Sequence, residues 1–239
     1  MLKDLRHGQR LELEGIAYRL SVNPRARRYG VRIDAGRREA VVVAPHTRHL
    51  GAALAFARSR SAWIGRHLGE AQAASIAFAP GAVIPFEGRP VTLTSEPGRR
   101  AARLAGPDVI VAGGEGEAFS RRIEAFLRTK ARVRLGDCTA RHAARLGQPV
   151  PKVSLGDAGG RWGSCSPQRA SIRYSWRLIM APPEVLDYVA AHEVAHLVHP
   201  HHQPPFWAEV ERLYGPWEEA RAWLRREGAR LHAVGRSQT

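Results

Sequence analysis

Hydrophobic and polar residues alternate in the first part of the chain, which is the pattern of half-buried β-strands. In the stretch "YGVRI", the side chains of Tyr29, Val31 and Ile33 fall on one face of a predicted strand. A turn at "DAGRR" precedes a second apolar strand, "EAVVVAP", which ends at Pro45. Residues 48–72 change to helical spacing and predict one or two helices. The opening region is therefore predicted to combine a sheet with helices.

The pattern changes twice more along the chain. Short Val, Leu and Ile runs separated by prolines fill residues 78–112 and predict the hairpins and loops of a small β-rich unit. After a glycine-rich segment at 112–120, apolar residues recur every three or four positions, which predicts a helix with Cys138 on its buried stripe. We therefore predict a basic β-rich region over residues 1–115 and a largely helical domain over residues 116–239.

Charge adds a candidate partner to this picture. The chain carries 37 Lys and Arg against 22 Asp and Glu, a formal net charge of +15, and the basic residues are dense in 23–38 and 119–146. Such a surface is typical of proteins that bind nucleic acid, nucleotides or other phosphates. It also arises as the solvated face of ordinary amphipathic elements. An Arg-rich surface for nucleic acid or nucleotide therefore stays open as a secondary hypothesis.

The cysteine count and the N-terminus bear on the compartment. The chain has only two cysteines, Cys138 and Cys165, so we do not expect a secreted protein held together by several disulfides. The opening "MLKDLRHGQRLELEG" has no apolar run of the kind found in signal peptides. No apolar stretch reaches the roughly 18 residues that a membrane span needs. We expect a cytoplasmic protein with no membrane partner.

Five histidines cluster in "HEVAHLVHPHH", residues 192–202, at the end of a predicted helix that begins with two prolines and stops at Pro200. His192 and His196 are four residues apart, so their rings emerge one turn apart on one face and can reach a single ion. Glu193 is rotated by about 100° from His192 along the helix, where a general base for a metal-bound water belongs. The HExxH pattern predicts a metal-dependent hydrolase.

A catalytic zinc ion needs a third protein ligand and an open fourth position. The candidates are the remaining histidines of the cluster and two downstream acids, namely His199, His201, His202, Glu209 and Glu211. A continuous helix would carry His199 along its axis, away from an ion held by the first pair. If the chain curls back after Pro200, His202 is the geometrically natural third ligand.

Three segments of the sequence resemble a known family. They are "RWGSCS" (161–166), "IRYSWRLIMAPPEVLDYVAAHEVAHL" (172–197) and "HHQPPFW" (201–207). Together they resemble the YgjP-like metallopeptidase domain, a relative of the SprT-like and WLM domain proteases in the gluzincin group. The resemblance covers about residues 120–232. It implies an α+β fold: a β-rich N-terminal region, then a helical zincin-like (minigluzincin) domain with an HExxH active-site helix and a rim β-sheet.

The resemblance also implies zinc (Zn²⁺) as cofactor and a set of site residues. The family typically has Asn-His-Ser after the motif helix where this chain has His201, His202 and Gln203, so His202 matches the third ligand. The family's usual Asn before Trp-Arg-Leu is replaced by Ser175, which puts any role of that side chain in doubt.

The segment "RWGSC" precedes a predicted strand, Ile172–Trp176, that the resemblance puts along the rim of the site. A rim strand can pair with an extended peptide through main-chain hydrogen bonds. Arg161 offers a charge to a carboxylate, phosphate or oxyanion, and Trp162 and His199 are further candidate contacts for substrate or oxyanion. The alternative interpretation is structural, with a tight turn at Gly163 and with Trp162 packed.

The mechanism predicted from these residues is hydrolysis of a peptide bond in a protein or peptide substrate. Zinc held by His192, His196 and His202 lowers the pKa of its bound water, and Glu193 takes the proton as the water attacks. Two alternatives stay open. One is a metal-dependent nucleotide (UTP-type) pyrophosphatase on the same scaffold, although the chain has no Walker-type glycine loop. The other is a DNA- or RNA-associated protease or nucleic-acid-binding module.

Overall fold

A computed structural model describes residues 4–34, 37–73, 75–157 and 161–235 of the chain. The chain folds as two compact units, Met1–Ser75 and Ile76–Thr239, called here the N-terminal and the C-terminal unit. In the described part, no helix is both long and apolar enough to cross a lipid bilayer. Cys138 and Cys165 are free thiols. A cytoplasmic location stays a prediction.

The N-terminal unit is a four-stranded sheet covered by two helices. Its strands are β1 (Arg10–Leu13), β2 (Ile16–Val22), β3 (Gly30–Asp34) and β4 (Glu39–Ala44). They lie in the order β1-β2-β4-β3, with β2 parallel to β4 and the other pairs antiparallel. Helices α1 (Leu50–Arg58) and α2 (Ser61–Ala73) follow. The predicted strands and helices of this region are confirmed.

Burial in the N-terminal unit follows the alternation of the sequence, with one difference. Tyr18, Leu20 and Val42 from the sheet share a core with Leu50 and other residues of the helices. Val31 and Ile33 pack against this core as predicted. Tyr29 does not, because β3 begins only at Gly30 and the Tyr29 ring is 38% exposed. The alternation put Tyr29 on the same face as Val31 and Ile33, but the observed strand begins one residue after it.

The C-terminal unit begins with a second sheet, in the region where short apolar runs between prolines, residues 78–112, predicted a β-rich unit. Its strands are β5 (Val83–Phe86), β6 (Arg89–Ser95), β7 (Arg103–Leu104) and β8 (Val109–Ala112), in the order β5-β6-β8-β7. Antiparallel pairing of β5 with β6 and of β7 with β8 confirms the predicted hairpins, and β6 runs parallel to β8.

A long helix and a third sheet follow. Helix α3 (Gly116–Leu146) precedes the strands β9 (Lys152–Gly156), β10 (Gly163–Ser166) and β11 (Ser171–Ser175). The strand order is β10-β11-β9, so β11 is the central strand. The last helices are α4 (Pro183–Ala195), α5 (Pro204–Tyr214) and α6 (Glu218–Ala233). The whole is the α+β architecture expected from the sequence.

One core holds the C-terminal unit together. The predicted stripe of α3 is buried throughout, and it packs in the same cluster as Ile84, Leu93 and Ile110 of the second sheet. Because these strands share their core with α3, the compact units divide between Ser75 and Ile76. The division that the sequence pattern predicted, after residue 115, differs from this one: it falls between β8 and α3, inside the C-terminal unit.

Candidate metal centre

Helix α4 carries the HExxH motif into the core of the C-terminal unit. Pro182 and Pro183 begin the helix and Glu184 lies in its first turn, near the positive end of the helix dipole. Most of the remaining side chains are buried, because the helix contacts α3, α5, α6 and β10. A helix that is apolar on nearly every side is a rigid support. The motif is therefore held at a fixed position.

The helix ends earlier than the sequence pattern predicted. The predicted helix runs to Pro200, but α4 ends at Ala195, with His196 as its C-cap. The Nδ1 atom of His196 lies 3.0 Å from the carbonyl oxygen of His199. Since a carbonyl can only accept, this nitrogen carries the hydrogen and the other ring nitrogen keeps its lone pair. The premature turn redirects the chain before His199.

Three histidine side chains converge beyond this turn. One ring nitrogen from each of His192, His196 and His202 lies within 4.8 Å of the others. The Nε2 atoms of His192 and His202 are 3.1 Å apart. Tetrahedral zinc with nitrogen ligands at about 2.05 Å separates them by about 3.3 Å, so the donor set fits zinc. Within the described residues, no thiol or carboxylate joins this group, so the cluster offers three nitrogen donors.

Phe206 forms the apolar support beneath the three rings. It is fully buried at the start of α5, and its ring centroid lies 4.5 Å from that of His196 and 4.7 Å from that of His202. Trp207 flanks the His202 ring at 5.7 Å. These contacts fix the segment that returns His202 to α4.

The electrostatics of the cluster keep its histidines neutral. Burial, followed by the neighbouring histidines and Arg221, lowers the pKa of His192 to about 3. Burial also lowers the pKa values of His196 and His202. Neutral imidazole is the form that donates its lone pair to a metal ion. All three shifts therefore favour the neutral form that metal binding requires.

Glu193 lies against the strand β10. It is 6% exposed, and burial raises its pKa to about 8, while the positive charge of Arg161 acts in the opposite direction. A Cβ atom on Gly163 would stand 2.6 Å from both Cγ and Cδ of Glu193. Glycine is therefore required at the start of β10 so that the carboxylate can lie against the strand. A buried carboxylate with this pKa is a base suited to neutral pH.

Residues 27–227, more than four fifths of the chain, match the family described as "YgjP-like, metallopeptidase domain". The chain belongs to the YgjP-like metallopeptidase family. No curated protein matches it significantly. Among solved structures, the crystal structure of the metallopeptidase zymogen of Pyrococcus abyssi abylysin is similar to it, at 23% identity and TM-score 0.35 over 39% of this chain and 92% of that one.

Two further candidate residues of this YgjP-like domain, Arg161 and Trp162, lie just before the strand β10. Arg161 is exposed just before β10, and its charge reaches the Glu193 carboxylate. Trp162 instead stacks on His232 of α6 at 4.4 Å, and a Cβ atom on Gly228 would stand 2.9 Å from its ring. Its environment is that of a packing residue.

His199 contributes its backbone to the site. Its carbonyl oxygen orients His196, while its ring is outside the group of three converging histidines. The sequence pattern gave no signal for this role, because a carbonyl oxygen is present at every residue. Whether the His199 ring contacts a substrate stays a prediction.

Two sequence expectations about the rim are wrong. Gly163 and Ser164 form no tight turn; they belong to the strand β10, opposite Tyr174 and Arg173. The strand predicted at Ile172–Trp176 is observed as β11, but it has β10 on one side and β9 on the other, so its backbone is already paired. Within the described residues, the edge beside Glu193 that is open to another strand belongs to β10.

Sequence reasoning missed Arg221 and Arg177. Arg221 of α6 lies over the rings of Trp207 and Trp217, at 4.8 Å and 5.5 Å, and its charge acts on His192 and His202. Arg177 is buried and bonds both carboxylate oxygens of Asp157, at 2.7 Å and 3.1 Å. Arg221 has no sequence signal, because arginine is so common in this chain that no single one stands out. Arg177 lies in the Trp-Arg-Leu segment that resembles the family, but the segment did not indicate its contact with Asp157.

Proposed function

We propose that this protein is a zinc-dependent peptidase of the HExxH type, in which His192, His196 and His202 hold the metal and Glu193 is the general base. The observation that carries the proposal is the convergence of three neutral imidazoles beside a buried carboxylate. The family is one of metallopeptidases, which supports hydrolysis as the chemistry. The zinc identity rests on the all-nitrogen donor set and its spacing.

Glu193 performs the proton transfers of the reaction. A zinc ion held by the three histidines would supply Lewis acidity, lowering the pKa of a water molecule and polarising the scissile carbonyl. Glu193 accepts a proton from the attacking water and passes it to the leaving amine nitrogen. Without metal, burial raises its pKa to about 8, so much of it is protonated at pH 7. The charge of a zinc ion beside it would lower that pKa and favour the ionised form that accepts the proton. Gly163 keeps the carboxylate in place.

The strand β10 and Arg161 form the substrate side of the proposal. An extended peptide pairs with the edge of β10, so that its scissile bond lies beside Glu193. Arg161, exposed before that strand, stabilises the oxyanion that develops on the carbonyl oxygen. Open strand edges accept peptides of many sequences, because backbone groups supply the hydrogen bonds.

The metal assignment is tested by a matched pair of histidine variants. His202→Ala removes a proposed ligand, while His201→Ala removes the adjacent, exposed histidine that lies outside the cluster. We expect zinc content near one ion per chain and a zinc-dependent rise in unfolding temperature for the wild type and for His201→Ala. His202→Ala should lose both. Equal zinc binding by both variants would exclude His202 as a ligand.

The reaction is tested by turnover assays on the zinc-loaded protein and its Glu193→Gln variant. Casein and a peptide library serve as peptidase substrates, and a panel of nucleoside triphosphates tests the pyrophosphatase alternative. We expect peptide cleavage that falls by a factor of about 10³ in the variant, the size of a general-base contribution. Release of pyrophosphate without peptide cleavage would contradict the peptidase proposal.

A further inference from the structure

Two loops of the N-terminal unit meet at one end of its sheet. Strand β3 begins opposite the end of β4, with Gly30 paired to Val43. The loop before β3, residues 23–29, therefore lies beside the segment after β4, residues 45–49. Ring contacts join them, because Tyr29 lies 6.2 Å from His49.

The residues that meet there form a basic patch with exposed rings. We call it the arginine–tyrosine patch, and its members are Arg25, Arg27, Arg28, Tyr29, His46, Arg48 and His49. All except His49 are exposed, and His46 and His49 lie edge to face at 5.7 Å. No acid occurs in residues 15–33 or 40–69, so the chain segments that build the patch carry no compensating charge.

The ion pairs of the same sheet lie at its other end. Asp34 and Glu39 are opposite one another where β3 ends and β4 begins. There, Glu39 pairs with Arg10 and Arg19, and Asp34 also pairs with Arg19. In contrast, no carboxylate among the described residues forms an ion pair with the patch arginines. The unit thus neutralises its arginines at one end of the sheet and leaves them uncompensated at the other.

We propose that the arginine–tyrosine patch binds single-stranded nucleic acid. Guanidinium groups bind backbone phosphates, and exposed rings between them stack on unpaired bases. The exposed Tyr29 ring beside these arginines favours a partner that offers flat surfaces for stacking as well as negative charge. A duplex hides the faces of its bases inside the stack, so single strands are the form that Tyr29 can stack on.

This binding goes beyond the proposed peptidase activity and uses none of its residues. The N-terminal unit carries 14 Lys and Arg against six acids over 75 residues, and we assign a binding role to the part of this charge that lies in the patch. The metal centre belongs to the C-terminal unit, so either proposal can fail while the other holds.

The test measures binding of the full-length protein to a labelled oligothymidine of about 15 nucleotides, a length within the range of known single-strand sites. The patch variant combines Arg25→Gln, Arg27→Gln and Arg28→Gln. A matched control removes the same charge from exposed arginines of the C-terminal unit, with Arg121→Gln, Arg132→Gln and Arg226→Gln. We expect the patch variant to bind at least about tenfold more weakly than the control and to lower the salt slope by about 2.

Tyr29 separates stacking from charge. Tyr29→Ala should weaken binding by about tenfold, whereas Tyr29→Phe keeps the ring and should bind like the wild type. Unaltered unfolding midpoints show that each variant is folded. Equal losses in the patch and control variants would overturn the proposal in favour of diffuse charge. So would full binding by Tyr29→Ala, equal affinity for duplex and single strand, or patch-dependent binding of anionic vesicles without binding of the oligonucleotide.

Discussion

Each unit of this protein buries a glutamate, and the two are treated in opposite ways. Glu39 in the N-terminal unit is 3% exposed and accepts hydrogen bonds from Arg10 and Arg19. Burial alone would raise the pKa of Glu39, but these bonds and charges hold it below its usual range. Glu193 in the C-terminal unit is 6% exposed, and no described residue donates a hydrogen bond to its carboxylate; its pKa is raised to about 8.

The difference distinguishes an acid that stabilises the fold from an acid that can exchange protons. A paired carboxylate is ionised at all physiological pH values and stabilises the fold, so it has no proton to exchange. An unpaired buried carboxylate destabilises the fold when charged, but it takes up and releases protons near neutral pH. Both side chains have little contact with solvent, but the carboxylate of Glu193 lies deeper in the protein than that of Glu39, which is covered by its arginines. Depth and partners together determine what a buried glutamate does.

Removing the partnered acid should have the largest effect on stability. Glu39→Gln leaves two arginines without their shared carboxylate, and we expect a loss of about 3 kcal/mol in the free energy of unfolding at neutral pH. The folded-state pKa of Glu39 is lowered, so this contribution is present above the unfolded pKa and disappears as the pH falls through the folded one. Urea unfolding at a series of pH values measures both the loss of stability and its dependence on pH.

The control for Glu39 is another acid of the same unit. Glu14 pairs with Arg58 at 2.6 Å, but both side chains are about half exposed, 51% and 52%. Glu14→Gln should therefore change stability by less than about 1 kcal/mol. If the two variants cost the same, burial would not be the reason for the importance of Glu39.

Removing the unpartnered acid should have the opposite sign. We expect Glu193→Gln to stabilise the metal-free protein by about 2 kcal/mol at neutral pH. A raised folded-state pKa means that wild-type stability declines as the pH rises from 4.5 to about 8, while the variant lacks this decline. Thermal unfolding with a chelator present measures the difference. A destabilised variant, or a gain that is independent of pH, would show that Glu193 has a partner.

Crowding Glu193 should have a smaller effect on stability. Gly163→Ala forces the carboxylate away from β10, and we expect a loss of about 1–2 kcal/mol together with a roughly tenfold lower kcat. Gly136→Ala is the matched control, because a Cβ atom there meets open space within α3. That change should stabilise the helix by about 0.5–1 kcal/mol and leave turnover unaltered. Full activity of Gly163→Ala would contradict the role assigned to the contact.

Removing the positive charge of Arg161 should have the smallest effect. The positive charge of Arg161 lowers the pKa of Glu193, so Arg161→Gln raises it further. The acidic limb of the profile of kcat/KM against pH should then move to higher pH by about half a unit, and less at high salt because Arg161 is exposed. Arg161→Lys should restore the wild-type profile. A shift that salt does not reduce would point to a direct bond with Glu193.

Much of the fold and part of the site could be predicted from local patterns. The strands β3 and β4, the hairpins of residues 78–112 and the stripe of α3 all follow from spacing along the chain. So does the position of Glu193 next to His192 on one helix. Each of these features repeats over a few residues, and backbone geometry converts the spacing directly into a face or a turn.

The extent of the compact units could not be predicted in this way. A change of pattern near residue 115 marks a change of secondary structure, but β8 and α3 on either side of it share one core. Periodicity records which side of an element is buried and not which other element covers it. The same limit explains why β11 was expected at an edge, since strand order in a sheet is a property of pairing between distant segments.

An HExxH motif, five histidines within eleven residues and a surplus of arginine can all be recognised in the chain before it folds. The end of α4 at Ala195, the packing of Phe206 against His202 and the contact of Glu193 with Gly163 arise only in the folded protein. The reason is that residue types and short spacings are fixed by the chain. The pKa of a carboxylate and the convergence of ligands depend on atoms that only folding brings together.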